Sequence, residues 1–288
     1  MPAEIMSAAL PPLGLIAGLG DLPVRVAAAA EARGQGVYVI RLKGFIEPAL
    51  AHLPGEVIGF AEIGKIFKAF RDAGCKEVCF AGNVKRPDFS ALKPDMKGML
   101  LLPKVLAAAS KGDDALLRTV VEAVEAEGFK VVGAQEASGQ LLAKEGLLTG
   151  IAPSGEAMDD LRKAATIAAA TGQLDIGQGA IVCAGLVLCV EAQEGTDAML
   201  ARCATLDPAI RGTPEQRRGV LVKRPKPIQD HRIDWPTIGV QTVEGAAAAG
   251  LAGIGVESGG ALILDQEQVI LRARELGLFI YSFPKDWD

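Results

Sequence analysis

Residues 13–42 read LGLIAGLGDLPVRVAAAAEARGQGVYVIRL, and this stretch decides the fold class. Leu13 to Ala17 is a short apolar run. The glycine turn Gly18-Leu-Gly20-Asp21-Leu-Pro23 follows, and then a helical stretch that runs to Arg33. Gly34 and Gly36 stop the helix, and Val37 to Leu42 has the β-branched and aromatic content of a strand. Strand, glycine turn, helix, glycine and strand make a βαβ opening.

The alternation continues outward from there. A helix over Glu62 to Ala73 closes at Gly74, and Glu77 to Ala81 reads as a buried strand leading to Gly82-Asn83. A long helical zone from about Met99 to Ala126 breaks near Gly112, and Gly128 ends it before a strand over Lys130 to Gly133. About four parallel strands with intervening helices make a doubly wound half, whose ligands are expected beyond the carboxyl ends of the strands. The character changes after Gly150. Ala157 to Ala170 is an alanine-rich helix, Gly179 to Val190 reads as two short strands around Gly185, Thr196-Asp197 opens a helix, and Val220 to Lys223 is a strand. The expected organisation is α/β, with a Rossmann-like amino-terminal domain over residues 1–145. A connector that includes a helix follows over 146–170, and a distinct α/β carboxy-terminal domain over 171–288.

Composition narrows the function classes. Half of the 288 residues are hydrophobic and the net charge is only -5, which excludes a disordered chain. Thirty Lys and Arg against thirty-five Asp and Glu leave no basic excess for general nucleic-acid binding. Cys75, Cys79, Cys183, Cys189 and Cys203 form no C-x-x-C pair, and with two histidines they do not suggest zinc. They read as buried, reduced, cytosolic thiols. Ile176 to Val190 is the longest apolar candidate and falls short of a membrane span, while Met1 to Gly20 lacks the basic start of a secretory signal. A cytoplasmic location is expected.

Several constellations could carry chemistry. Gly18-x-Gly20-x-x-Pro23 follows a strand and opens a helix, where backbone amides could receive phosphate. Pro23 replaces a third glycine, and the second strand ends in Arg41 and Lys43 instead of an acid. An NADP-linked oxidoreductase is therefore one alternative, and a tight βα turn without ligand another. In Gly82-Asn83-Val84-Lys85-Arg86-Pro87, the glycine permits close approach while Asn83, Lys85 and Arg86 offer donors and charge to an anion; a solvated loop reads equally well. Glu191, Glu194 and Asp197 fall within seven residues beside a turn, which suits a hard cation such as Mg²⁺, although Thr196 or Asp197 could simply cap the helix. Lys223-Arg224-Pro225-Lys226 places three cations shortly before Asp230. That arrangement suits phosphoryl transfer, with a solvated loop and a salt-bridged Asp230 as the alternative. Gly253 to Gly260 is glycine-dense and is read either as a ligand-lining segment or as a tight turn.

Taken together, Gly14 to Pro23, Gly82 to Pro87, Gly112-Asp-Asp114, Gly172 to Gln178, Glu194-Gly-Thr-Asp197 and Lys226-Pro-Ile-Gln-Asp230 resemble the I-type UDP-2,3-diacylglucosamine pyrophosphatases of lipid A biosynthesis. The resemblance runs from about Leu13 to the carboxyl end. It implies hydrolysis of UDP-2,3-diacylglucosamine to UMP and 2,3-diacylglucosamine 1-phosphate (lipid X), dependent on Mg²⁺ with Mn²⁺ as a substitute, and with water directed to the sugar-side phosphorus. It matches Asp230 to the family's essential aspartate, as a group that binds metal, activates water or does both. Candidate substrate contacts are Gly18, Gly20, Asp21, Gly82, Asn83, Lys85, Arg86, Gln178, Gly195, Thr196, Lys223, Lys226 and Gln229, and candidate metal ligands are Asp230, Asp197 and Glu194. Expected partners are the substrate and lipid X, with transient contact at the inner-membrane surface and a homodimer as further expectations, and no nucleic acid. A non-catalytic nucleotide or lipid carrier is the remaining alternative.

Overall fold

The computed structural model describes residues 10–85, 87–138, 142–227 and 232–287. The chain divides into two compact units, one up to Gly139 together with residues up to Ile233 that follow Gln229, the other comprising the rest from Gln140.

The first unit contains β1 (Leu13–Ala17), α1 (Asp21–Ala32), β2 (Val37–Leu42), β3 (Gly55–Ile58), α2 (Ile63–Asp72) and β4 (Glu77–Ala81). It continues with α3 (Met96–Ala109), α4 (Asp113–Glu125), β5 (Lys130–Val132) and the short α5 (Ala134–Ser138). Its strands pair in parallel in the order β3-β2-β1-β4-β5 among the described residues. The order reverses between β1 and β4, so the turns that leave those two strands flank the crevice where ligands of such sheets bind. Ile16, Ile40, Phe67, Phe70, Val78, Val121, Phe129 and Val131 form the core beneath. Five strands stand where about four were expected. The addition is the edge strand β3, whose Glu56 and Val57 are exposed.

The second unit runs β6 (Gly146–Leu147), α6 (Gly155–Gln173), β7 (Gly179–Cys183), β8 (Leu186–Val190), α7 (Gly195–Ala204) and β9 (Val220–Lys223). It ends with β10 (Thr237–Ile238), α8 (Val240–Ala248), β11 (Gly253–Glu257), β12 (Leu262–Ile263), α9 (Gln266–Glu275) and β13 (Phe279–Phe283). Its main sheet has the order β6-β13-β11-β9-β7-β8, in which β9, β11 and β13 are parallel and the hairpin β7–β8 joins antiparallel. Ser154 caps α6 by accepting from the Ala157 N–H (3.1 Å). The alanine-rich face of α6 covers one side of this sheet through Ala157, Leu161, Ala164 and Ala168, so the helix expected in a connector packs within the second unit. Leu221, Ile254, Val256 and Ile280 point to the other side, into a core shared with Met199, Leu200, Val243 and Val269.

The glycine-dense segment at 253–260 is not a turn throughout. Gly253–Glu257 is a fully buried central strand, and only the residues after it turn. Its glycines are packing positions: a Cβ on Gly253 would lie 2.5 Å from the Phe279 ring, and one on Gly255 would lie 3.1 Å from Leu161. Arg41 also departs from its expected role. It is buried and donates to the carbonyls of Leu50 and Leu53, which removes the cation on which the NADP reading relied.

Candidate functional site

Two loci emerge, one in each unit. In the first unit, the turns after β1 and β4 meet directly. Leu19 N–H donates to Asn83 O (2.9 Å) and Asn83 N–H returns the bond to Leu19 O (2.8 Å), while Gly18 N–H donates to Ala81 O (2.8 Å). A Cβ on Gly18 would lie 2.6 Å from Asn83 O, and one on Gly82 2.8 Å from the Gly18 carbonyl carbon, so both glycines are there for the close approach of two backbones. The approach gathers Gly18, Gly20, Asp21, Gly82, Asn83 and Lys85 at the switch point, with Asp21, Asn83 and Lys85 exposed. Gly20 has φ +100° and open space beside it. Its N–H already donates to Glu47 Oε2 (2.9 Å), so a phosphate on that amide has to displace a carboxylate. Arg86 lies outside the described residues.

In the second unit, Glu191 directly follows β8, β9 ends at Lys223, and Thr196 joins them. Lys223 Nζ donates to Thr196 Oγ1 (2.7 Å) and to Thr237 O (3.1 Å), and the Thr196 hydroxyl in turn donates to Glu191 Oε1 (2.7 Å). Lys223 is 5% exposed and Glu191 6%. Buried ionisable groups are retained only when paired or hydrogen-bonded, and here one hydroxyl relays between the two charges. The second oxygen of Glu191, Oε2, is buried with no hydrogen-bond partner among the described residues. Thr196 therefore does not cap α7; that helix follows Glu194 with no side-chain cap.

The other candidates are dispersed or already engaged. Arg224 pairs with Glu257 (2.9 Å), itself buried, and Lys226 with Asp175 (2.7 Å). Each cation of the cluster thus holds a protein partner. Glu194 binds Arg202 (2.7 Å), whose guanidinium holds its carboxyl below the usual carboxylate range. Asp197 is exposed on the side of α7 that faces Gln241 and Glu244 of α8. Gly195, with φ +79°, opens α7, and Gln178 precedes β7 with its carbonyl accepting from Arg224 N–H (3.1 Å). Among the described residues no three His, Cys, Asp or Glu side chains come together to hold a metal ion. Gln229 and Asp230 lie outside the described residues.

Residues 12–141 match the LpxI N-terminal domain, and residues 144–281 match the LpxI C-terminal domain. The chain belongs to the LpxI family. It is similar to the UDP-2,3-diacylglucosamine pyrophosphatase LpxI of Caulobacter vibrioides, at 56% identity over 268 residues that cover 93% of this chain and 96% of that one. The two family domains meet between residues 141 and 144, beside the division of the structure into units at Gly139 and Gln140.

Glu191 is the member of this hydrogen-bonded chain that sequence reading did not single out. It appeared only as one of three nearby carboxylates, whereas in the structure it is buried and Glu194 and Asp197 are exposed. The available signal was the pair of glycines at the start of β7, Gly177 just before it and Gly179 as its first residue: a Cβ on Gly179 would lie 2.5 Å from Glu191 Oε2, and one on Gly177 2.1 Å from Glu191 O.

Proposed function

We propose that this chain is a hydrolase that cleaves the pyrophosphate bond of UDP-2,3-diacylglucosamine to give UMP and 2,3-diacylglucosamine 1-phosphate in lipid A biosynthesis. The observation that carries the reading is 56% identity over 93% of the chain to a relative of that name, with both LpxI domains matched.

Water adds to one phosphorus, the bridging P–O bond breaks, and its electron pair leaves on UMP when water attacks the sugar-side phosphorus. Negative charge grows on the phosphoryl and leaving oxygens, so fixed cations and donors are what a protein can contribute. We assign that task in the second unit to Lys223, which ends one of the parallel strands. Thr237 O and Thr196 Oγ1 use two of its three N–H donors and fix its position. Because the Thr196 proton is given to Glu191, the hydroxyl presents lone pairs to Lys223 and cannot turn its proton towards it. Asp230 is the proposed group that orients the attacking water or takes its proton. Mg²⁺, with Mn²⁺ as a substitute, is proposed on the family resemblance, and no step is derived from it. A substrate carrying two acyl chains comes from a bilayer, and no helix among the described residues is long and apolar enough to cross one. Contact from the cytoplasmic surface of the inner membrane is therefore part of the same proposal.

The test compares UMP release from UDP-2,3-diacylglucosamine and from UDP-N-acetylglucosamine. Binding energy from the acyl chains can lower the barrier at phosphorus, so kcat/KM should fall steeply without them. Equal kcat/KM on the two compounds would remove the diacylated substrate from the account.

A further inference from the structure

The helix α3 carries its apolar side chains on the outside. Met96 is 76% exposed, Leu100 75% and Met99 57%, and Leu106, Pro103 and Ala107 are exposed with them. At 3.6 residues per turn these positions fall on one continuous face. The opposite face is fixed by Gly98, where a Cβ would lie 1.9 Å from Ala61 O, and by the Asp95 cap, which accepts from Gly98 N–H (2.8 Å) and Lys65 N–H (3.0 Å). Ala108 and Ala109 are buried on that inner side. The outward direction of the methionine and leucine side chains is thus set by how the helix is seated.

Lys97 and Lys104 stand seven residues apart on α3, which puts them in one row along the border of the exposed apolar face, and Lys111 follows in the turn just past the helix end. Lys97 is bound to Glu127, but Lys104 and Lys111 are exposed and have no ion pair among the described residues. From Met96 to Gly112 there is no acidic residue, in a chain whose net charge is -5. An apolar face with a lysine border is the pattern of a helix that lies in a membrane interface, with its apolar side chains among the acyl chains and its cations at anionic headgroups.

We propose that the outer face of α3 is the surface with which this protein docks on an anionic bilayer. The inference deepens the proposed function, on which it rests only for the reason a bilayer is met; the docking itself needs no substrate. A second copy of the chain would bury the apolar side chains equally well, but two such faces would bring two lysine rows together. The charge complementarity favours lipid.

The experiment floats the full chain with vesicles of phosphatidylcholine alone or mixed with phosphatidylglycerol. Binding to the anionic vesicles is expected, weaker at high salt because the lysine contribution is screened. Met99→Ser with Leu100→Ser should weaken it by about tenfold or more, through apolar side chains no longer buried in lipid. Lys104→Gln with Lys111→Gln should weaken it by about fivefold per lysine on anionic vesicles only. Hydrolysis of detergent-dispersed substrate should be unchanged in both variants, which also shows that they fold. Failure of the wild-type chain to float with anionic vesicles would overturn the proposal. So would undiminished floating of the Met99→Ser, Leu100→Ser variant, or a wild-type dimer that this variant turns into a monomer. Vesicle binding without any hydrolysis would leave this surface standing and sink the proposed activity.

Discussion

Replacing Lys223 with methionine keeps the length of the side chain and removes its charge and donors. In the structure the ammonium holds Thr196 Oγ1 and Thr237 O, and through Thr196 it is linked to the buried Glu191 carboxylate. Stranding a buried charge by deleting its direct partner costs about 3–5 kcal/mol. Here a hydroxyl stands between the two charges, so Lys223→Met should cost somewhat less, about 2–4 kcal/mol. Glu191→Gln in the same chain removes the stranded charge and should recover about 1–2 kcal/mol, a coupling typical of residues in one hydrogen-bonded network. The assay is urea unfolding followed by tryptophan fluorescence. Trp235 and Trp287 are the two tryptophans, and both lie in the second unit, so the signal reports the unit that carries the chain of bonds. The double variant also separates stability from chemistry: it should be better folded than Lys223→Met yet remain slow in hydrolysis. Additive effects of the two substitutions, or a loss below about 0.5 kcal/mol for Lys223→Met, would refute the coupling between Lys223 and Glu191.

Two further outcomes follow from particular residues. Asp230→Asn should lower kcat by about 10²–10⁴-fold, the usual cost of losing a general base; a folded variant within about threefold of wild type would assign Asp230 to structure. In the first unit, Lys97 and Arg71 both bind Glu127, and Lys97 foremost holds its carboxyl below the ordinary value of 4.5. The folded-state pKa is depressed, so the stabilisation is present above pH 4.5 and is lost as pH falls through the lower folded value. Glu127→Gln should therefore be less stable than wild type at neutral pH, with the difference closing in acid. A difference that is constant from pH 7 down to pH 3 would contradict this.

The features that sequence could show were those written in local pattern. The βαβ opening, the hairpin around Gly185 and the strand Val220–Lys223 all stand where turn glycines and apolar runs placed them. Strand β11 was hidden because alternate glycines at 253 and 255 remove the side chains by which a buried strand is recognised, and the reason for them, Phe279 and Leu161, is remote in sequence. Edge strand β3 was hidden because Gly55 and Glu56 have low strand propensity and its neighbour β2 supplies the pairing. The candidate site divides in the same way. Gly18 and Gly82 could be picked out as turn glycines, but not that each clears room for the other's backbone. The three cations from Lys223 to Lys226 read as one basic cluster, whereas Glu257, Asp175 and Thr196 engage them one by one. Those partners lie 27 to 51 residues away and meet the cations only after the sheet has formed.

The central claim is that the chain splits the pyrophosphate bond of a diacylated UDP-sugar. The most direct measurement incubates the purified protein with UDP-2,3-diacylglucosamine and Mg²⁺ and identifies both products by mass. UMP and 2,3-diacylglucosamine 1-phosphate are expected in equal amounts. Unchanged substrate, or release of UDP through cleavage at the sugar carbon, would contradict it.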